Sequence, residues 1–271
     1  MVLLNADIRG EHDAIVHYLT HSWTVAEVYG SRIESIARDE MRHLKWLAHT
    51  VVYLQGVPDF SPREAEPVLS LNEALDIDIA AENQAIAQYE DHLARLGDPK
   101  VQALISRILI DERDHRRQFQ EMAAEAPEPL RAEGGKDKPT AVVAQDLQQI
   151  LSFEYRQILE YLFRYFVGVH GRAMGMTDED RAVDEMKHMG WVAESMAFAG
   201  QFPRWQKAPG DRLSPARRDE QQVYARVLAW SEQEAPDVAP LLRRIIAHEE
   251  YQVRTMQTEP WTVGSLKNLE G

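Results

Sequence analysis

Apolar residues recur at a spacing of three and four along almost the whole chain, and the alternation typical of strands is absent. The pattern predicts eight helices in two groups of four, at about 3–27, 31–55, 70–96 and 99–124, then at about 140–168, 178–200, 214–232 and 238–257. The segment between the groups, AEAPEPLRAEGGKDKPT, has three prolines and two adjacent glycines and is typical of a linker. We therefore predict an all-α fold with two tandem four-helix bundles at residues 1–125 and 140–257, joined by a linker at 126–139.

Sequence motifs repeat within the first group of helices and between the two groups. The pattern Glu-x-x-Ala-Ile-x-x-Tyr begins at Glu11 and again at Glu82, 71 residues later. Between the groups, Asp-Glu-Met-Arg-His-x-x-Trp at 39–46 is matched by Asp-Glu-Met-Lys-His-x-x-Trp at 184–191. Two similar helical hairpins in a bundle, and two similar bundles in the chain, would leave this trace.

Glutamates and histidines in these motifs have the spacing of a metal centre. Positions three apart lie on one face of a helix, so each Glu-x-x-His aims a carboxylate and an imidazole at the same point. Two such pairs and two lone glutamates, one contribution from each of four helices, form the inward ligand set of di-iron and di-manganese bundles. The first group of helices contains this set in full: Glu11, Glu40, His43, Glu82, Glu112 and His115. Hard oxygen ligands with one imidazole per ion favour iron or manganese, so we predict a dinuclear site suited to redox chemistry.

The second group of helices repeats the pattern with one change. Gln252 stands where the first set has His115, beside five further predicted ligands: Glu154, Glu185, His188, Glu220 and Glu249. An amide oxygen is a weaker ligand than an imidazole, so we expect weaker or asymmetric metal binding in this bundle. His248, one turn earlier, is an alternative ligand. The competing interpretation is a degenerate site whose carboxylates pair with arginine or water.

Tyrosines follow three of the glutamates by seven residues, which places them two turns further along the same face. These residues, Tyr18, Tyr89 and Tyr161, are predicted to pack in the core with satisfied hydroxyls; hydrogen bonding around the ligands or an electron relay is the alternative. The other histidines are predicted to be surface or packing residues: His12, His17, His21, His49, His92 and His170.

Charge and composition narrow the function further. The 271 residues carry a formal charge of −14, which disfavours binding to nucleic acid and suits the gathering of cations. No cysteine is present, so disulfides, iron–sulfur clusters and zinc–thiolate sites are excluded, and no apolar run is long enough for a membrane span. We expect a cytoplasmic protein that binds neither nucleic acid nor membranes; a homo-oligomer is compatible with the sequence.

The ligand motifs resemble those of the ferritin-like superfamily, and most closely those of bacterioferritin. The two Asp-Glu-Met-Arg/Lys-His segments are similar to that family's second-helix motif, and Leu-Gln-Gly-Val-Pro at 54–58 is similar to the turn after it. The resemblance implies two fused ferritin-like bundles, in which the six residues of the first set are ferroxidase ligands. It also implies a haem b site, because the methionine beside the ligand glutamate holds haem in bacterioferritins, and Met41 and Met186 occupy that position.

A second resemblance concerns the last residues of the sequence. Pro-Trp-Thr-Val-Gly-Ser-Leu-Lys at 260–267 is similar to the C-terminal targeting peptides of encapsulin cargo proteins. The resemblance implies that residues 258–271 form a targeting tail, that residues 260–268 dock on the shell protein, and that the protein resides inside an encapsulin compartment. The alternative is a strap that packs on the chain's own bundle.

The function that these resemblances imply is that of a di-iron ferroxidase, which oxidises iron(II) with dioxygen or peroxide for iron storage or detoxification. A manganese catalase or a rubrerythrin-like peroxidase on the same scaffold is the alternative enzyme, since a fold does not fix a function. A cargo or scaffold protein whose metals only hold helices together is the non-enzymatic alternative.

Overall fold

The computed structural model describes residues 1–25, 27–68, 70–126, 141–168, 177–198, 200–206, 218–236 and 238–258, and every regular element within these ranges is a helix. The helices are α1 (Val2–Thr24), α2 (Glu27–Tyr53), α3 (Leu71–Arg95), α4 (Pro99–Glu125), α5 (Ala141–Val167), α6 (Asp178–Phe198), α7 (Arg218–Glu234) and α8 (Ala239–Thr258). Each corresponds to a predicted helix, and the largest shifts are four residues, at the starts of α2 (from 31 to 27) and α7 (from 214 to 218). The predicted all-α class is confirmed.

The chain divides into two compact units, Met1–Glu133 and Gly134–Gly271, with four helices in each. In the first unit α1 packs on α2 and α3, and α4 packs on α3 and α2. In the second unit α5 packs on α6 and α7, and α7 packs on α8. Each predicted bundle, 1–125 and 140–257, falls essentially within one unit. Apart from Ala126, the predicted linker lies outside the described residues, and so do residues 259–271 of the predicted tail.

Side chains at the helix starts explain where several helices begin. The Ser70 hydroxyl accepts a hydrogen bond from the Glu73 backbone N–H at 3.5 Å, and Asp98 accepts at 2.8 Å from the N–H two residues on. Before α6, Thr177 and Asp180 cap each other: the Asp180 N–H donates to the Thr177 hydroxyl at 3.1 Å, and the Thr177 N–H donates to the Asp180 carboxylate at 2.8 Å. These caps satisfy backbone N–H groups that have no partner within a helix.

The connection from α2 to α3 is anchored on the start of α1. Gln55 has a φ of 63° and reverses the chain after α2, which directs the next residue back toward the first helix. A Cβ added to Gly56 would lie 1.8 Å from the Met1 Cε, so this glycine packs closely against the side chain that precedes α1. Further along, the Asp59 backbone N–H donates to the Asn5 side chain at 3.1 Å. The connection therefore covers one end of α1.

The interior of each bundle mixes apolar side chains with ionisable ones. Fully buried apolar residues of the first bundle include Ile8, Val16, Ile33, Leu47, Leu71, Ile105, Ile108 and Phe119, and those of the second include Ile150, Leu151, Ala193, Val227 and Ile245. Among them lie glutamates that are less than about a twentieth exposed, which is costly unless another charge compensates them. Within the described part of the chain, no helix is long and apolar enough to cross a bilayer.

Candidate metal centre

Four helices of the first bundle bring all six predicted ligands together in its interior. The residues form two overlapping groups in which the ligand atoms lie within 4.8 Å of one another. The first group is Glu11, Glu40, His43 and Glu112, and the second is Glu40, Glu82, Glu112 and His115. All six side chains are buried. Two carboxylates therefore belong to both groups, while each group has its own imidazole and its own glutamate.

The distances around the two imidazoles indicate a shared point rather than simple hydrogen bonding. His43 Nδ1 lies 2.9 Å from Glu40 Oε2, 3.0 Å from Glu112 Oε1 and 3.5 Å from Glu11 Oε2. One N–H cannot donate to three oxygens at once, whereas one cation can be coordinated by the nitrogen and all three oxygens. On the other side, His115 Nδ1 lies 2.9 Å from Glu40 Oε1. Glu40 thus presents one oxygen to each imidazole, as a bridging carboxylate does.

Buried oxygens without hydrogen bonds show that these residues fit metal ions. Glu40 Oε1, Glu82 Oε2 and Glu112 Oε1 are buried and have no hydrogen bond of normal geometry, although imidazole nitrogens lie 2.9 and 3.0 Å from the first and the third. An unsatisfied buried carboxylate oxygen is costly, and four buried carboxylates repel one another. Two divalent cations would balance the four negative charges. The donor set of carboxylates and imidazoles suits iron and manganese.

Metal-free, the first centre retains protons. Burial, followed by the charges of Glu112 and Glu40, raises the pKa of Glu11 well above its usual range. Burial and the same two carboxylates raise the pKa of Glu82 in the same way. Burial alone would lower the pKa of His43, but the surrounding carboxylates, with Glu11 foremost, raise it well above its ordinary value. Metal binding must displace these protons, so higher pH favours it.

Tyrosine hydroxyls hold the two glutamates that are not shared between the groups. The Tyr18 hydroxyl donates to Glu82 Oε1 at 2.6 Å, and the Tyr89 hydroxyl donates to Glu11 Oε1. Both tyrosines are buried, as predicted. Tyr18 reaches from α1 to a residue of α3, and Tyr89 reaches from α3 to a residue of α1. The partner of each hydroxyl is the predicted ligand on the facing helix. These bonds fix the orientation of the terminal carboxylates.

Carboxylates also hold the outer nitrogens of the ligand imidazoles. His43 Nε2 lies 3.1 Å from Asp111 Oδ2, and Asp111 also pairs with Arg107. His115 Nε2 lies 3.5 Å from Asp39 Oδ2. A partner of this kind fixes the ring so that Nδ1 faces the centre, and it makes the ring a stronger ligand.

Two histidines that the sequence placed at the surface or in packing positions form buried pairs with aspartates. His21 Nδ1 lies 2.7 Å from Asp78 Oδ1, and His92 Nδ1 lies 2.6 Å from Asp7 Oδ1. His21 and His92 are 71 residues apart, the same interval as Glu11 and Glu82, so the internal repeat was the signal that could have found them. His12 is also buried, and burial followed by the charge of Arg63 lowers its pKa to about 4. His170 lies outside the described residues.

A cavity of about 240 Å³ lies between α1 and α3 and reaches the centre of the first bundle. Its lining includes the predicted ligands Glu11 and Glu112 and the carboxylates Asp7 and Asp13. Gly10 and other small residues keep the space between the two helices open. The carboxylates in this otherwise largely apolar lining give the cavity groups that could attract a cation.

Four of the five predicted ligands of the second bundle also form one group: Glu154, Glu185, His188 and Glu249. His188 Nδ1 lies 3.0 Å from Glu185 Oε2, 3.4 Å from Glu249 Oε1 and 3.5 Å from Glu154 Oε2. His248 is not part of this group but lies on the outer side of the ring, where its Nδ1 is 2.9 Å from His188 Nε2.

Glu220, the fifth predicted ligand, lies apart from this group in the described structure. Its Oε1 accepts a hydrogen bond at 2.6 Å from Nη2 of Arg156, whose side chain is fully buried. This is the pairing with arginine that the sequence left open as the alternative. Gln252 is buried as well, and its Oε1 accepts a hydrogen bond from the Tyr161 hydroxyl at 2.7 Å.

The stability of the metal-free second bundle should fall as pH rises. Burial first, and then a neighbouring carboxylate, raises the pKa values of Glu185 and Glu249 from 4.5 to about 7. The folded chain therefore keeps protons that the unfolded chain loses between about pH 4.5 and 7, and stability is lost through that window. His188 acts in the same direction above pH 6.5, since its carboxylate neighbours overcome burial and raise its pKa to about 12.

Thermal melts in a chelator at pH 5 and pH 8 measure this loss, and each 1 kcal/mol should lower the Tm by about 4 °C. Saturating Mn²⁺ should remove most of the difference. The double variant Glu185→Gln with Glu249→Gln should show a flatter pH dependence. An unchanged Tm between the two pH values would contradict the expectation.

The two predicted haem ligands each directly follow a glutamate of the centres. Met41 lies on α2 beside Glu40, and Met186 lies on α6 beside Glu185. Both methionines are partly exposed, so neither is enclosed by its own bundle. Haem binding by this pair stays a prediction.

Comparison with known protein families supports the first part of this picture. Residues 1–128 match the Ferritin family model, described as a ferritin-like domain. The matched segment covers the first bundle, and it supports the predicted ferritin-like superfamily there. Comparison with curated proteins and with solved structures found no match. The closer resemblances to bacterioferritin and to encapsulin cargo stay predictions.

Proposed function

We propose that the first bundle is a di-iron ferroxidase that oxidises iron(II) with dioxygen or peroxide. The observation that carries the proposal is the overlap of the two ligand groups, in which Glu40 and Glu112 belong to both. Carboxylates shared between two ligand groups would hold two ions next to each other, which two separate sites would not do. Residues 1–128 match a ferritin-like domain, and ferritin-like bundles include di-iron carboxylate proteins.

Each of the two ligand groups would hold one ion. Glu11 and His43 would hold the first ion, Glu82 and His115 would hold the second, and Glu40 and Glu112 would be available to both. When bound, two neighbouring ions supply two electrons together to an oxidant. The tyrosine hydroxyls keep the terminal carboxylates in place, and the surrounding apolar side chains exclude bulk water.

Iron(II), as the substrate, would reach the centre through the cavity between α1 and α3. Asp7 and Asp13 line this cavity together with the ligand Glu11. The net charge of −14 adds a long-range attraction for cations. The carboxylates that would attract iron(II), Asp7 and Asp13, therefore line the same cavity as Glu11, which would bind it.

Removal of one tyrosine hydroxyl should slow oxidation without removing the metal ligands. We expect Tyr18→Phe to reduce the initial rate by about 10-fold, because partners of metal ligands typically affect activity by 10–100-fold. Phenylalanine keeps the buried ring, so the fold should persist. The matched control is Tyr224→Phe, whose hydroxyl donates to Glu154 in the second bundle and which should leave the rate unchanged. An unaltered rate in Tyr18→Phe would show that the bond does not position the carboxylate.

Oxygen consumption after addition of iron(II) to the metal-free protein tests the proposed activity. A fast phase that saturates at two iron(II) per first bundle is expected. Oxidation no faster than that of free iron(II) in the same buffer would reject the ferroxidase.

The same donor set also suits manganese, so a manganese catalase or a rubrerythrin-like peroxidase is the second candidate. Metal analysis of the purified protein and a peroxide assay separate the candidates. Manganese content with oxygen release from peroxide would favour the catalase, and iron content with reductant-dependent peroxide consumption would favour the peroxidase. Metal content without turnover of either oxidant would favour a structural role.

We further infer that residues 258–271 direct the protein into an encapsulin shell. The support is the sequence alone, in which Trp261, Val263 and Leu266 are apolar while Pro260 and Gly264 disfavour a helix. Such an extended segment can bury alternate side chains in a groove of a partner. A shell would also give oxidised iron a compartment.

A further inference from the structure

We propose that the second bundle binds a single metal ion, held by Glu154, Glu185, His188 and Glu249, and that its second ion position has been lost. The ion would be a divalent iron or manganese, since the donors are three carboxylates and one imidazole. The inference does not depend on the ferroxidase, because it concerns metal content rather than turnover.

One of the two ion positions of the first bundle is repeated in the second. In each bundle one histidine Nδ1 lies close to three carboxylate oxygens. The distances are 2.9, 3.0 and 3.5 Å around His43, and 3.0, 3.4 and 3.5 Å around His188. Two independent segments of chain thus arrange the same four donors in nearly the same way.

Buried oxygens aimed into this group have no hydrogen bond to satisfy them. Glu154 Oε2 and Glu249 Oε1, which lie 3.5 and 3.4 Å from His188 Nδ1, are buried and accept none. A buried carboxylate oxygen without a hydrogen-bond donor is costly, and these two oxygens have none. A cation in the group would satisfy both.

Two amide side chains, those of Gln157 and Gln252, occupy the place where a second ion would bind. Gln157 Nε2 donates to Glu249 Oε2 at 3.2 Å, so this carboxylate has an amide on the oxygen that a bridge would use. Gln157 stands where the first bundle has Ala14, which is too small to make such a contact. Gln252, in place of the second imidazole, accepts from Tyr161.

The carboxylate that would complete a second ion position is replaced as well. Tyr224 is the counterpart of Tyr89, because each donates to the glutamate of the first helix of its bundle. Glu82 precedes Tyr89 by seven residues, and Arg217 precedes Tyr224 by seven. Arg217 lies outside the described residues, but its chemistry is not that of a metal ligand. Glu220, one turn further on, binds a buried guanidinium instead.

The remaining ion should bind more weakly than those of the first bundle. His43 has the carboxylate of Asp111 at its outer nitrogen, whereas His188 has the imidazole of His248. An anionic partner makes a ligand imidazole more basic, and a neutral one does so less. The affinity should therefore be about 10–100-fold lower.

Titration of the full metal-free chain with Mn²⁺ tests the inference. Metal analysis at saturation should find three ions per chain, two in the first bundle and one in the second. Electron paramagnetic resonance should show a coupled pair together with the hyperfine pattern of an isolated ion. His188→Ala, or Glu185→Gln if that variant misfolds, should lose only the isolated signal. Glu40→Gln should lose the coupled signal and keep the isolated one.

Glu220→Gln and Gln252→Ala are the matched controls, since neither residue belongs to the proposed ligand group. Both variants should still bind three ions. Four ions in the wild type, or loss of the isolated signal in Glu220→Gln with the fold intact by circular dichroism, would overturn the assignment of one position. Only two ions in the wild type would show that the second bundle binds none.

Discussion

Replacing Glu40 with alanine is expected to slow iron(II) oxidation by more than about 100-fold. Substitution of a residue that only hydrogen-bonds to a metal ligand typically lowers activity by up to about 100-fold. Glu40 is itself a predicted ligand, and its two oxygens face the two imidazoles. Its loss would leave the two ion positions without one of their bridges. Stopped-flow measurement of iron(II) oxidation by the metal-free variant gives the rate.

The internal repeat supplies a matched control for this experiment. Glu185 occupies the equivalent place in the second bundle, with its Oε2 3.0 Å from His188 Nδ1. Glu185→Ala should leave the fast phase unchanged, because a single ion cannot supply two electrons at once. His115→Ala should behave like Glu40→Ala. A wild-type rate in Glu40→Ala would refute the assigned centre, and equal losses in Glu40→Ala and Glu185→Ala would place the chemistry in both bundles.

Local patterns in the sequence were sufficient to predict the helices and the candidate ligands of the first bundle. Apolar periodicity predicted all the helices that the structure describes, because apolar side chains at helical spacing are buried in each bundle. The Glu-x-x-His spacing fixed His43 and His115 for a similar reason, since residues three apart share a helix face. Both inferences need only the geometry of a single helix.

Contacts between helices could not be predicted as well from the sequence. Glu220 has the residue type of a ligand, but its place along α7 is one turn from the position that corresponds to Glu82. Its hydrogen bond from Arg156 on the facing helix shows that it pairs with a guanidinium rather than with the ligand group. The register of one helix against another is set by packing, which no local pattern encodes.

The buried aspartate–histidine pairs follow the internal repeat of the sequence rather than a known ligand spacing. Each pair joins α1 to α3 through a contact between residues 57 or 85 positions apart. The regular interval between His21 and His92 matches that of the ligand glutamates. A search for repeated positions rather than for known ligand spacings would have paired them.

The two bundles together indicate how a repeated centre diverges. The changes fall on the second ion position, where Gln157 and Gln252 stand in place of a small residue and an imidazole. The position around His188 keeps its distances. Loss of one ion removes two-electron chemistry while a cation still satisfies the remaining carboxylates, so the fold of the second bundle can be retained.

Removal of residues 258–271 is expected to abolish packaging in an encapsulin shell. The chain ending at Gln257 retains all the predicted ligands, because the last of them, Glu249, lies in α8 before the cut. Its iron oxidation should therefore match that of the full chain. Co-expression with the shell protein of the same organism, followed by isolation of the shells, measures the packaged fraction.

Side-chain substitutions separate recognition of the tail from a simple effect of its length. Trp261→Ala with Leu266→Ala removes apolar side chains that would dock in a groove, and should reduce packaging nearly as much as truncation does. Thr262→Ala with Ser265→Ala changes neighbouring polar residues and should reduce it much less. Many shell subunits present the same groove, so a modest affinity for each tail is enough for retention. If the truncated chain is found in shells as often as the full chain, residues 258–271 do not direct packaging, and a strap on the chain's own bundle becomes the better explanation.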